Sequence, residues 1–462
     1  MRVSLFLTVC LSFLFLSCES KTNSEEENVS LTLLGGGATI YDQGINAYSF
    51  ETPELSQEES RSFFRGRAFF RDPWVIAPAS TASRDGLGPV FNARSCEACH
   101  LKDGRGRPPE NSEPFTTMLV RISIPGEGEH GGPVAVPNYG GQIQNFSVPG
   151  VPAEANPKVR YETITGSFDD GSSYELLKPS YVLADPKFGA LPTNILTSPR
   201  VAPGMVGLGL LEAIPEADIL EQADPDDLDG DGISGKANYV WDVQAGAASL
   251  GRFGWKANQP NLMQQTAGAF LGDIGITSSL FSTENCAANQ LDCAAAANGG
   301  DPELMAVILE DTAFYSSTLA VPAQRDGGTV DVLEGQKLFA AVKCNECHTP
   351  TWTTGESEIS TALSNQKIHP FTDLLLHDMG DELADGRPDF LANGNEWRTP
   401  PLWGIGLLET VNGHSRLMHD GRARNIEEAI LWHGGEGEDS RDRYKALSES
   451  DRKLLIKFME SL

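Results

Sequence analysis

A mainly apolar run extends from about Val3 to Leu16, behind a single basic residue, Arg2. The run is shorter than the ~20 residues that a spanning helix needs, so residues 1–18 read as an export signal. It ends in FLSC, where Cys18 is the candidate lipid-carrying first residue of a mature lipoprotein. Phe15 stands where such signals usually carry leucine, and cleavage by an ordinary signal peptidase is the alternative. The polar stretch ESKTNSEEEN then suits a flexible tether over residues 19–35. No later segment is apolar enough to span a bilayer, so the membrane is expected to be met through the lipid anchor only. The expected place is the periplasm or the outer-membrane surface of a Gram-negative bacterium.

Further on the pattern becomes helical. SRSFFRGRAFF predicts one helix, and VLEGQKLFAAVK another, with Val332, Leu333, Gln336, Leu338 and Phe339 on a helix-like run. In NIEEAILWH, Ile426, Ala429, Ile430 and His433 fall at i, i+3, i+4 and i+7, behind Asn425 as cap and Glu428 three residues on. Only VRYETITGSFDDGSSYELLKPSYVL alternates, like two strands about an Asp-Asp-Gly turn. The expected fold is mainly α, with a β-containing insertion in the first half.

Length and charge narrow the class. A chain of 462 residues is too long for one ordinary core, which points to two domains, or to one with large insertions. Hydrophobic content of 40% with 21% charged residues suits a globular protein. A net charge of −29 excludes a basic nucleic-acid footprint and could steer a basic partner protein.

The chemistry lies in the cysteines. RSCEACH (Cys96, Cys99, His100) and KCNECH (Cys344, Cys347, His348) both follow C-x-x-C-H, the pattern of covalent haem attachment. Two thiols reach the two vinyl groups on one porphyrin edge, and the next side chain swings beneath the iron, so His100 and His348 are the expected proximal ligands. A thioredoxin-like pair has no need of the histidine, and a four-cysteine zinc site would want the pairs closer in sequence. The helix before Cys344 is the usual opening helix of a small cytochrome c domain. Outside a reducing compartment, Cys286 and Cys293 in NCAANQLDC are the expected local disulfide, with two free thiols as the alternative.

A repeat ties the halves together. PGMVGLGLLEA from Pro203 and PPLWGIGLLET from Pro400 share P-x-x-x-G-x-G-L-L-E, each shortly after an arginine, Arg200 or Arg398. The stretch between haem motif and signature is about twice as long in the first unit, which the β-rich insertion explains. The expected organisation is two cytochrome c-like domains, 36–325 with insertions and 326–462.

For the far face of each iron, His433 is the candidate in the second unit, with His377 and Met379 in LLLHDMG as reserves. In the first unit the repeat shows no counterpart of His433, because the chain there runs into DPDDLDGDGISG. Haem one is therefore the expected reactive site and haem two its electron feed. Met118, Met205 or His130 could close that site and make it a plain carrier.

NARSCEACH, DGDGISG, GRFGWKA, CNECH, FTDLLLHDMG, EWRTPPLWGIG and HDGRARNIEEAILWHGGE together resemble the di-haem oxidoreductase family, labelled peroxidases or thiol oxidoreductases, over nearly everything after about residue 35. More distantly the chain is similar to di-haem bacterial cytochrome c peroxidases, which have methionine where His433 stands. The resemblance implies two haem c groups, His433 as distal ligand of the second haem, a small donor cytochrome or other redox protein as partner, and hydrogen peroxide as substrate. Two imidazoles imply a lower potential for that iron than histidine plus methionine. A non-catalytic electron-transfer cytochrome, linked to metal uptake or reduction, is the alternative function, and a structural lipoprotein with inert haems is a third.

Three further readings concern single residues. DLDGDGISGKAN places Asp227, Asp229 and Asp231 at positions 1, 3 and 5 of a calcium-type loop, but Asn238 replaces its closing glutamate; an acidic turn is the alternative. Trp255 is a candidate for the space between the haems. Arg252 and Arg398 are candidates to pair with haem propionates. The catalytic acid or base is not readable from the sequence.

Overall fold

The computed structural model describes residues 32–110 and 113–462. The export signal, Cys18 and tether residues 19–31 lie outside the described residues. Among the described residues no helix is long and apolar enough to cross a membrane.

Ser56 opens α1 (Gln57–Arg71): its hydroxyl accepts from the Glu59 amide, and the Glu59 carboxylate accepts the Ser56 N–H at 2.7 Å. Strand β1 (Met118–Ser123) follows, then β2 (Asn156–Ser167) and β3 (Ser173–Ala184), an antiparallel hairpin with 12 residues in each arm. Strand β4 (Leu196–Val201) returns to β1, with Met118 opposite Val201. Beyond two short helices and a small hairpin come α2 (Leu262–Ala269), α3 (Ala306–Ser317) and α4 (Val330–Ala341). Then β5 (Leu376–Asp378) pairs antiparallel with β6 (Glu396–Arg398), Leu376 opposite Arg398, and the C-terminal part holds α5 (Ile426–Leu431) and α6 (Glu449–Ser461).

Glycine sets two equivalent helix crossings. A Cβ on Gly66 of α1 would overlap the Asp311 carbonyl oxygen of α3 and lie 2.8 Å from the Tyr315 Cβ. On Gly335 of α4 it would overlap the Leu454 carbonyl oxygen of α6 and lie 2.8 Å from the Phe458 Cβ. One turn past each glycine stands a phenylalanine facing the histidine of a CxxCH motif: Phe70 is 6.1 Å from the His100 ring and Phe339 is 6.3 Å from the His348 ring. The chain thus builds the support for each histidine twice, by one recipe.

The halves also interlock. The Val201 amide of β4 donates to the His419 carbonyl at 2.9 Å, and the Arg398 amide of β6 donates to the Trp255 carbonyl at 2.9 Å. Each unit's strand end is bonded to the other unit's loop. The β2–β3 hairpin straps the second half through Asp170–Arg452 (2.8 Å) and Lys178–Glu382 (2.6 Å), with the Arg452 guanidinium 3.9 Å from the Phe168 ring centre. A third pin is internal. Lys256 is fully buried, and its ammonium donates to Asp385 Oδ1 and the carbonyls of Arg387 and Asn393, each at 2.8 Å.

The expectation of a mainly α protein made of two cytochrome c-like domains is corrected here. The described residues are 28% helical and 18% strand, in many short pieces, and they show no cytochrome c-like fold. All of its described strands pair two by two. The physical reason is local: 47 glycines and 28 prolines interrupt the apolar runs. Backbone groups between the helices find partners in brief ladders, where a helix would have needed an unbroken run.

Candidate functional site

His100 and His348 follow their cysteine pairs on tight turns, the amide of each donating to the first cysteine's carbonyl, at 2.9 and 3.0 Å. Each ring is then oriented through its Nδ1. Nδ1–H of His100 donates to the Pro203 carbonyl at 2.8 Å, and Nδ1–H of His348 to the Phe371 carbonyl at 2.9 Å. His433, just beyond α5, does the same to the Ala429 carbonyl at 2.7 Å. With the proton held on Nδ1, Nε2 keeps its lone pair for a metal. Burial pushes all three imidazoles toward the neutral form, His348 down to about 4.

Two cavities adjoin these rings. Cys96, Cys99 and His100 line the first; Cys344, Cys347, His348 and His433 line the second. Burial pushes the Cys96 and Cys344 thiols up to about 12, so neither pair is the lowered-pKa thiolate that thiol–disulfide chemistry requires. The two pairs also do not gather at one point. Among the described residues the only cluster of three metal-ligating side chains is Asp224, Asp227 and Asp229.

The wall shared by the two cavities contains Arg105, Trp255, Arg398 and Trp403. Trp255 is fixed by its Nε1–H, 2.9 Å from the Val201 carbonyl, and the Arg105 guanidinium lies 4.8 Å from its ring centre. Arg105 and Arg398 are each only 8% exposed and make no ion pair among the described residues; the Arg105 Nε has no partner at all. Burial pushes both guanidinium groups down to about 10. Asp420 acts on Arg105 and Asp373 on Arg398 from beyond ion-pair distance, and backbone carbonyls take part of their N–H groups, Met418 for Arg105 and Gly254 and Thr399 for Arg398; a buried cation without a close counter-charge gains when an anion joins it. The carboxylates of a tetrapyrrole would meet that need, and the thiol pairs and neutral imidazoles match its vinyl edge and iron. The residues present therefore fit two haems.

Other expected residues fall differently. Arg252 lines neither cavity; its Nη1 is bound to the carbonyls of Leu211 and Ile214. His377 lines the second cavity with both ring nitrogens engaged, by Asp373 at 2.8 Å and Glu436 at 2.7 Å. Burial opposes a charge there, yet Asp373 holds its pKa well above the usual range, so no lone pair remains for iron. Met379 also lines the second cavity. His130 lies outside the first cavity, stacked on Trp241 at 3.7 Å, whereas Met118 and Met205 line it. Cys286 and Cys293 are joined in a disulfide.

The acidic loop gathers a partly different set of carboxylates from the one that its spacing suggested. It converges Asp224, Asp227 and Asp229, and leaves Asp231 out; Asp231 accepts the Ile233 amide at 2.8 Å, and Asn238 is buried and bonded to the Lys256 carbonyl at 2.7 Å. Asp224 was missed because it precedes the repeat of alternating aspartates that marked the loop.

A second correction concerns the missing counterpart of His433. Isolated bridges join Phe253 to Gln259 in the first unit and Leu417 to Ala423 in the second. Two residues on, Asn261 and Asn425 each cap a helix by accepting the amide three positions ahead, at 2.8 and 2.9 Å. Helix α2 is therefore the equivalent of α5. Ile426, Ala429, Ile430 and His433 line the second cavity, and Leu262, Gln265, Thr266 and Ala269 line the first at the same spacing. Ala269 stands where the second unit has His433. The shared signal in the sequence was only an asparagine cap, too slight to find this pair.

A family model described as "Di-haem oxidoreductase, putative peroxidase" matches residues 28–462, nearly the whole chain. No curated protein matches the chain.

Proposed function

Because this chain belongs to the di-haem oxidoreductase family and so carries two haem groups, we propose that it is an exported c-type enzyme that reduces peroxide. Cys96 with Cys99, and Cys344 with Cys347, are the thioether anchors; His100 and His348 are the proximal ligands, and His433 closes the second iron. The observation that carries this reading is the uneven placement of the three histidines whose Nδ1 is bound to a backbone carbonyl: two at the second cavity, one at the first.

When bound, the haems would supply electron storage and redox-active iron, and no histidine other than His100 lines the first cavity. The chain holds them through its arginines and keeps Trp255 and Trp403 between the two cavities as the path for electrons. Electrons enter from a small donor cytochrome at the C-terminal site and are used at the N-terminal one. Peroxide takes up two electrons and two protons and leaves as two waters. The acidic surface, with a net charge of −29, suits a basic donor. Cys18 anchors the enzyme to the membrane by lipid, and the loop at Asp224, Asp227 and Asp229 is its candidate calcium site.

A second reading has its own observation: Met118 and Met205 line the first cavity, and either thioether on the iron would make the protein a carrier. The optical and paramagnetic spectra of the oxidised holoprotein separate the two. One high-spin signal that cyanide abolishes, beside one low-spin signal, supports the enzyme; two low-spin signals that ignore cyanide support the carrier. Denatured protein should retain its pigment in acid acetone and weigh two haems more than the polypeptide.

A further inference from the structure

Beside Cys347 the second unit carries a set of buried charges that the first unit lacks. His377 is buried, and each of its ring nitrogens meets a carboxylate: Nε2 lies 2.8 Å from Asp373 Oδ2 and Nδ1 lies 2.7 Å from Glu436 Oε2. An imidazole that donates on both sides is an imidazolium. Further donors hold both carboxylates in their ionised form. Asp373 accepts the Leu375 amide at 2.9 Å. Glu436 accepts the Ser234 hydroxyl at 2.7 Å and the amides of Ser234 and Asp378 at 3.1 and 3.0 Å. Two carboxylates against one imidazolium leave a single negative charge in surplus. It is held close to a thioether anchor. His377 Nδ1 lies 3.6 Å from Cys347 Sγ, the Asp373 amide donates to the Cys347 carbonyl at 3.1 Å, and both His377 and Glu436 line the second cavity.

The strand ladders give the corresponding places in the first unit. Val201 and Arg398 each stand two residues before the proline of the repeat, and they lie opposite Met118 and Leu376. Leu119 is therefore the equivalent of His377, and Phe115 of Asp373. Leu119 lines the first cavity and Phe115 is buried in the core. Gly272 follows Ala269 by the same three positions that separate Glu436 from His433. All three charges are replaced by uncharged residues. The carboxylate that does line the first cavity, Asp273, is opposed by Arg121 on the same lining. Arg105 and Arg398 belong to the wall common to both cavities and so do not distinguish them.

We propose that Asp373, His377 and Glu436 set the potential of the second haem, their surplus negative charge favouring its ferric over its ferrous iron so that an electron passes downhill from the second haem to the first. Buried charges act at full strength because neither water nor salt screens them well. The inference rests on the reading that the second haem feeds the first, and the test separates the two. Spectroelectrochemical titration of the holoprotein reads the midpoint of each haem. The double variant Asp373→Asn with Glu436→Gln removes the surplus negative charge whether or not His377 keeps its second proton. At a fixed applied potential its second haem is expected to show an about tenfold higher ratio of reduced to oxidised iron, an upward shift of about 59 mV for one electron. The midpoint of the first haem should stay, and the low-spin spectrum of the second should persist. A double variant that keeps this spectrum and the wild-type midpoint overturns the proposal, as does an equal shift at both haems. Where the double variant loses the low-spin spectrum, the triple variant with His377→Gln added decides by the same criterion. Two low-spin irons in the wild type that ignore cyanide overturn the peroxidase reading, and the charge set is still judged on the midpoints.

Discussion

Gly335 gives a direct measure of how tightly the second site is supported. Replacing it with alanine adds one Cβ, which would lie 2.8 Å from the Phe458 Cβ and overlap the Leu454 carbonyl. Carbon atoms pack comfortably at about 3.5–4.0 Å, so α4 and α6 must part by roughly 1 Å. Phe339, Phe371 and Phe458 form a mutually touching cluster at that crossing, with ring centres 5.4–5.8 Å apart, and would lose contact with it. Overpacking of this kind costs about 1–3 kcal/mol, and an obstructing backbone puts the change at the upper end. The better helix propensity of alanine returns about 1 kcal/mol, leaving a net loss of about 2 kcal/mol. Denaturant unfolding followed by far-UV circular dichroism measures it. The expected result is a lower midpoint, with the spectrum of the second haem altered and the first unchanged. Gly66→Ala should mirror this at the first haem. Gly328→Ala is the control: its Cβ meets nothing within 4 Å, and stability should hold or rise. A Gly335→Ala protein with the wild-type midpoint would refute the account of the crossing.

Three more outcomes are expected. His433→Ala should turn the second haem from low-spin to high-spin and let it bind cyanide, read by absorption and paramagnetic resonance. Lys256→Met should cost about 3 kcal/mol in denaturant unfolding, because it strands the buried Asp385 carboxylate; adding Asp385→Asn should recover part of that loss. Burial raises the Glu154 carboxyl from its ordinary 4.5 to about 7. A raised folded-state pKa stabilises fully below the unfolded value and the benefit is lost as pH climbs through 7, so Glu154→Gln should lose less stability than wild type between pH 5 and 8.

What could be read from the sequence was what repeats in short windows. The cysteine spacing, the Asn425 cap, the stripe ending at His433 and the alternation of the β2–β3 hairpin are all local, and local patterns survive folding. The fold class was not legible, because brief ladders such as β1 with β4 join residues about eighty positions apart, and neither strand carries a strong alternating pattern. Arg105 was missed for a related reason. Its meaning comes from burial beside two cavities without a carboxylate, and nothing in GRGRPP signals burial. Arg252 was overvalued because a basic residue in a conspicuous motif gives no sign of whether its side chain reaches a cavity, and this one reaches neither. The equivalence of α2 with α5 needed the bridges and caps, since side chains facing the two cavities had diverged in kind while the backbone had not.

The exchanged amide bonds, Val201 to His419 and Arg398 to Trp255, bear on how this protein can be taken apart. Cutting between the halves would leave each with a strand end and a loop whose partners belong to the missing piece. Isolated fragments should therefore make poor single-cofactor modules, and any active enzyme rebuilt from them should require both together. The spacing of the two redox centres is thus a property of one folded body, set at assembly and insensitive to dilution.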